Sequence, residues 1–155
     1  MKRGLRVREE SGAGMDGCAT AEAGPETAVR KVTVRPFDES CGVRLAEGIM
    51  RRHVHGEQGT IAVFEFAKGA KIPLHHHPNE QITYILKGAV DVTVAGVKHR
   101  VKAGELIVLP PNVPHAFEAL EATTDLDFFS PPRADWELIG NGGMRGYLHG
   151  DGNEA

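Results

Sequence analysis

Two histidines, His75 and His77, stand two residues apart, with Gln81 four residues further on. On a strand, residues i and i+2 point to the same face, so His75 and His77 share one face and His76 takes the other. Pro78 and Asn79 then bend the chain, and Gln81 can bring its amide oxygen to the point where the two rings converge. A fourth donor should come from a distant strand. His115, just after Pro114, is the candidate, with its ring entering the interior beside Phe117. Three imidazoles and one amide oxygen form a mixed N/O set that suits one divalent transition metal: Zn, Ni, Fe, Mn or Co. The plainer alternative is packed or surface histidines on a metal-free scaffold.

All four donors are neutral, so an ion there would keep its full charge. Such a centre attracts an anionic or hydroxyl-rich ligand and works as a Lewis acid without needing a redox change. A second cluster follows downstream. Asp127 and Phe129 share one face of a strand, and Ser130-Pro131-Pro132 then presents Arg133. A carboxylate aimed into an apolar interior is costly unless it has work or a partner. Arg forks onto carboxylates better than any other side chain. The segment therefore supplies an acid/base group, an aromatic wall and an anion clamp, or else a plain Asp127–Arg133 ion pair at a rim. His53 and His55 can line the same cavity, and Arg51 or Arg52 can add a second anion contact. His76 is expected to be exposed, and His99 and His149 to be structural or in a loose tail.

The elements that must position these groups are strands. Residues 31–35 alternate, residues 48–55 offer a short strand, and residues 60–66 are rich in β formers. Residues 81–86 form another, ending at Lys87-Gly88. Val90, Val92 and Val94 face one way, Ala95-Gly96 turns the chain, and Val97, His99 and Val101 return, which is a hairpin pattern. Leu106-Ile107-Val108-Leu109 is apolar on both faces and reads as a fully buried strand. Residues 115–117 and 125–129 complete the set, and residues 134–139 allow one short helical turn. Strands recurring every 8–12 residues with Gly and Pro between them indicate an all-β sandwich or barrel.

With these residues in view, the chain resembles the cupin family of small jelly-roll barrels over residues 43–133. Gly69, His75, His77, Gln81 and Gly88 meet every spacing of the family's first motif, with Gln replacing Glu. Gly104, Pro110 and His115 match the second, with Asn112 replacing Gly, a mild change because Asn tolerates positive φ. The stretch 127–133 also resembles the pectin-degradation cupins of the KdgF group, which convert 4,5-unsaturated monouronates to linear keto sugars. That resemblance implies a single cupin-type jelly-roll β-barrel, a homodimer, and His75, His77, Gln81 and His115 as metal ligands. It also implies Asp127, Phe129 and Arg133 as the catalytic trio. An Fe(II)-dependent dioxygenase and a non-enzymatic small-molecule-binding or sensory cupin remain the alternatives.

Composition agrees with a globular protein. The chain has 155 residues, 41% of them hydrophobic and 25% charged, with a formal net charge of -3. The organisation expected is a flexible tail over 1–28, the barrel over 29–139 and a loose tail over 140–155. No basic stripe invites nucleic acid, and no apolar run suits a membrane. The first residues lack the apolar stretch of a signal peptide, so the expected location is the cytoplasm, with Cys18 and Cys41 as free thiols. The expected partner is a small anionic substrate.

Overall fold

The alternating segments pair as two antiparallel sheets in the computed structural model, which describes residues 32–136. The chain divides into two units, Met1–Val34 and Arg35–Ala155, and the described strands all belong to the second. They are β1 (Val43–Ala46), β2 (Ile49–His55), β3 (Thr60–Phe66), β4 (Lys71–His75), β5 (Glu80–Lys87), β6 (Ala89–Val94), β7 (Val97–Lys102), β8 (Leu106–Leu109), β9 (His115–Ala119) and β10 (Thr123–Ser130). One sheet has the order β1-β2-β3-β10-β5-β8 and the other β4-β9-β6-β7. Short 3-10 turns lie at Glu39–Cys41 and Ala134–Trp136. Among the described residues no helix is long and apolar enough to cross a membrane.

The sheets meet over Phe64, Phe66, Ile72, Ile85, Val90, Val92, Phe117 and Phe129, all buried. Burial of side chains this size stabilises by about 1.5–3 kcal/mol each. Turn chemistry sets the register. Ala95 and Gly96 both take positive φ, as a two-residue hairpin turn requires, and Val94 pairs with Val97 across it. Asn112 has φ 62°, so the Asn in place of glycine sits in the left-handed region that it tolerates. Gly88 has φ 84°, and a Cβ there would run into Thr123 Oγ1 and the Ala122 carbonyl.

The outer face of the six-stranded sheet is apolar across its width. One row runs Val54, Ile61, Phe128, Ile82, Val108, and a second runs Val63, Leu126, Tyr84, Leu106. Ile61, Phe128, Tyr84, Leu106 and Val108 are exposed there.

Three expectations need correction. Of the strand expected at 31–35, the described residues 32–35 are not a strand, and Val32 and Val34 lie exposed. Alternation alone does not make a strand without a neighbour to take its hydrogen bonds, and among the described residues none pairs with this one. β8 is not buried on both faces. It is an edge strand beside β5, with Leu106 and Val108 turned outward and only Leu109 deeply buried. His99 is exposed rather than packed with valines, because β7 is likewise an edge strand. β1 was not anticipated. The expected tails 1–28 and 140–155, with Cys18 and His149, lie outside the described residues.

Candidate metal centre and active site

His75 ends β4 and His115 begins β9, and the two residues pair directly across those strands. Their rings lie 4.3 Å apart, centroid to centroid. His77 sits on the β4–β5 connection, which is pinned to the β8–β9 turn by a hydrogen bond from the Asn112 amide to the His77 carbonyl at 2.8 Å. Gln81 rises from the facing sheet on β5. The site therefore bridges both sheets, and all four side chains are buried. His76, between the two buried histidines, is exposed.

The hydrogen bonds fix the tautomers. His75 Nδ1 donates to the Pro73 carbonyl at 2.8 Å, His77 Nδ1 to Asn79 at 3.0 Å, and His115 Nδ1 to Val113 at 2.7 Å. A carbonyl only accepts, so each proton resides on Nδ1 and each Nε2 carries a lone pair. The three histidines can bring one nitrogen each within 4.8 Å of one another. His115 Nε2 is buried with no hydrogen-bond partner among the described residues. His77 Nε2 and Gln81 Oε1 face each other at 3.1 Å. The Gln81 amide is oriented by its nitrogen, which donates to Thr83 Oγ1 at 2.9 Å and to Asp127 Oδ2 at 3.1 Å. Two lone-pair acceptors thus meet with no proton between them. Donors sharing one ion at about 2.0–2.2 Å would stand roughly 3 Å apart. Orphaned, converging acceptors are what a cation site looks like, so the residues fit a divalent metal.

Burial is the main reason the imidazoles stay neutral. It pushes His75 down to about 3, helped by the neighbouring His115. It pushes His77 down to about 4, with Arg133 adding to the effect. His115 is lowered by the same cause.

Asp127 lies opposite Thr83 in the β10–β5 ladder, and Phe129 lies opposite Gln81. Thr83 Oγ1 donates to Asp127 Oδ1 while Gln81 serves Oδ2. Burial pushes Asp127 up to about 7, although Thr83, Gln81 and Arg133 pull it down. A carboxyl poised there can both take and give a proton near neutrality. Asp125 shares its face two residues earlier, accepts from the Phe64 amide at 3.3 Å, and is raised well above the usual carboxylate range by burial and then by Asp127.

Arg133 is fully buried, with its guanidinium 5.1 Å from the Phe129 ring centroid. Its ion pair is with Asp135, not Asp127: Nε donates to Oδ1 at 2.9 Å and Nη2 to Oδ2 at 2.7 Å. The rim pair imagined for Asp127 is thus replaced by a local i,i+2 fork. The Arg133 amide donates to Thr60 Oγ1 at 2.9 Å, and Asn79 Nδ2 donates to the Pro131 carbonyl. His53 and His55 do face the interior of the same sheet, with rings 4.8 Å apart.

Thr83, Asn79, Thr60, Asp125, Asp135 and Trp136 were not read as site residues. A signal existed for Asp125. In residues 123–129 the polar and acidic positions 123, 125 and 127 alternate with apolar 126 and 128, and it is the acids that face in.

Two antiparallel sheets closing on three inward imidazoles and an amide define a jelly-roll barrel whose histidines could hold a metal. The cupin domain matches residues 62–130. The pectin degradation protein KdgF of Dickeya dadantii is 34% identical over 102 residues, covering 64% of this chain and 93% of that protein. The structure of KdgF from Halomonas sp. superposes with a TM-score of 0.59 at 32% identity, covering 61% of this chain and 89% of that one. A Bacillus subtilis oxalate decarboxylase, described for its Mn(II) centres, superposes with a TM-score of 0.58 at 28% identity, covering 69% of this chain and 32% of that one. The chain belongs to the cupin family, and its resemblance to KdgF runs through most of that protein's length.

Proposed function

We propose that this chain is a metal-dependent cupin that opens the ring of a small unsaturated uronate and ketonises the resulting enol. The observation that carries the reading is Asp127, a buried carboxyl poised at about 7, hydrogen-bonded to the same Gln81 that turns its oxygen toward His77. His75, His77, Gln81 and His115 would hold one divalent ion. Bound there, it would supply Lewis acidity toward a substrate carboxylate or hydroxyl oxygen. The name of the KdgF relative, a pectin degradation protein, supports an acidic sugar as the substrate class.

The chain's own groups divide the rest of the work. Arg133 binds the substrate carboxylate, for which an incoming anion competes with Asp135. Phe129 forms the wall against the sugar ring. Asp127 takes the proton from the anomeric hydroxyl. The C1–O bond to the ring oxygen breaks as the C1 carbonyl forms, leaving an enol at C4–C5. Asp127 then returns a proton to C4 as the C5 carbonyl forms. Atoms balance within one molecule, so the reaction is an isomerisation and needs no oxidant.

The test is loss of the ultraviolet absorbance of the conjugated ene-carboxylate when the metal-loaded protein meets unsaturated galacturonate. A rate no faster than the uncatalysed one, with metal content verified, would sink the reading. Oxygen uptake by the iron-loaded protein would move it to a dioxygenase. Tight binding without turnover would move it to a binding cupin.

A further inference from the structure

The interior beside the candidate site is nearly full. The cavity lined by His75, Gln81, Asp125, Asp127 and Phe129, with apolar neighbours, encloses about 10 Å³, whereas sites for sugar-sized ligands run to about 300 Å³ or more. One side chain, Trp136, packs against the Phe129 wall of that cavity. Ala62 lies between His53 and Asp127 across the sheet, and its small side chain leaves a hollow on the inner face. The Trp136 ring meets His53 at 5.1 Å, Phe129 at 5.1 Å and Phe64 at 6.3 Å, the rings that surround Ala62. The indole therefore lies over Ala62. It is buried, yet its Nε1 has no hydrogen-bond partner among the described residues. A permanent core indole normally satisfies that donor.

We propose that Trp136 is a displaceable plug: its indole fills the hollow over Ala62 that the ring of a small carboxylate ligand takes, and ligand entry swings it out. The ligand class rests on the function proposed above. The hinge is marked by where the anchors stop. Asn79 holds Pro131, and Thr60 holds the Arg133 amide. Beyond Arg133 the short Ala134–Trp136 turn is held by its own backbone bonds, by the Arg133–Asp135 fork, and by the indole lying against the Arg51 and Arg133 guanidiniums, 3.9 and 4.6 Å from the ring centroid. A ligand carboxylate that takes the Arg133 guanidinium releases Asp135, and with it the turn that carries Trp136. The ion pair is the latch, and the ligand's own charge opens it.

Trp136 is the only tryptophan in the chain, so its emission reports the plug directly. The zinc-loaded full-length protein is titrated with galacturonate, with binding followed by calorimetry and the indole by emission and acrylamide quenching. Saturation is expected to shift emission to the red and raise quenching. Asp135→Asn, with the latch cut, is expected to show both changes without ligand and to bind galacturonate about tenfold tighter, since the closed state no longer competes. Galacturonate that binds the wild type without moving the indole, or an Asp135→Asn protein unchanged in emission and affinity, overturns the plug and leaves the reaction standing. An indole that moves on binding while unsaturated galacturonate is not turned over supports the plug and removes the reaction. Galacturonate that binds neither protein overturns both.

Discussion

Thr83→Val is the sharpest probe of the candidate site, because it removes one hydroxyl and keeps the shape. Thr83 is fully buried, its Oγ1 donates to Asp127 Oδ1, and it accepts from Gln81 Nε2 at 2.9 Å. Valine leaves Oδ1 without that donor. A hydrogen bond to a charged group contributes about 1.5–3 kcal/mol. It favours the ionised carboxyl, so at 1.36 kcal/mol per unit its loss raises Asp127 by about one to two units. Asp127 starts at about 7. The midpoint of the Asp127 titration, read by ¹³C NMR of the carboxyl carbons, should therefore move to higher pH by that amount. The rising limb of the pH profile of kcat/KM should move with it. Metal content should change little, because the four donors are untouched. A midpoint that stays where it was, with a rate lowered equally at every pH, would refute the claim that this hydroxyl tunes the carboxyl.

His115→Ala removes the donor whose Nε2 is orphaned, and metal affinity measured against a chelator should fall at least about a hundredfold, more than loss of an outer partner costs. The apolar outer face of the six-stranded sheet is expected to pair with a second copy, so Val108→Lys on its exposed edge should turn a sedimenting dimer into a monomer. Metal-free protein should lose stability with acid below pH 6.5: the unfolded chain then protonates His53, His75 and His77, while the folded barrel, with these near 4, 3 and 4, does not. Asp125 and Asp127 work the other way, holding protons in the fold that the unfolded chain has released above about pH 4. Between pH 5 and 6 four lowered histidines, His115 among them, oppose two raised carboxyls, so unfolding takes up protons on balance and Tm should fall as the pH drops.

The convergence of His75, His77, Gln81 and His115 was legible in the sequence because each sits at a spacing that geometry constrains. His75 and His77 stand two apart and are both buried, although β4 ends at His75 and His77 lies on the connection beyond it, and Asn112 tolerates the positive φ that glycine otherwise supplies. The outer strands were harder. Leu106 and Val108 have the composition of a core, and nothing local to them says that β8 has a neighbour on one side only. Hydrophobicity reports what must be covered, not whether this chain or another surface covers it. The network around Asp127 was hidden for a different reason. Thr83 and Asn79 are ordinary residues whose roles arise from partners 44 and 52 positions away, contacts that only the sheet order creates. Arg133 shows the same limit at short range. Its presence at the site was readable, but its commitment to Asp135 depends on the local turn.

That commitment bears on what the site can accept. Arg133 and Asp135 cancel each other, the three imidazoles are held neutral by burial, and Gln81 adds no charge. What remains is Asp127, about half ionised near pH 7. A divalent ion would leave the centre with an excess of between one and two positive charges, in a place where the low dielectric magnifies them. One carboxylate compensates most of that excess, and a second would overshoot it. A glutamate at position 81 would spend the same charge on the protein and place a carboxylate against Asp127. By that reasoning the glutamine would leave an ion's charge for the ligand and Asp127 free to move a proton, the combination that the proposed ring opening of a monoanionic sugar would use.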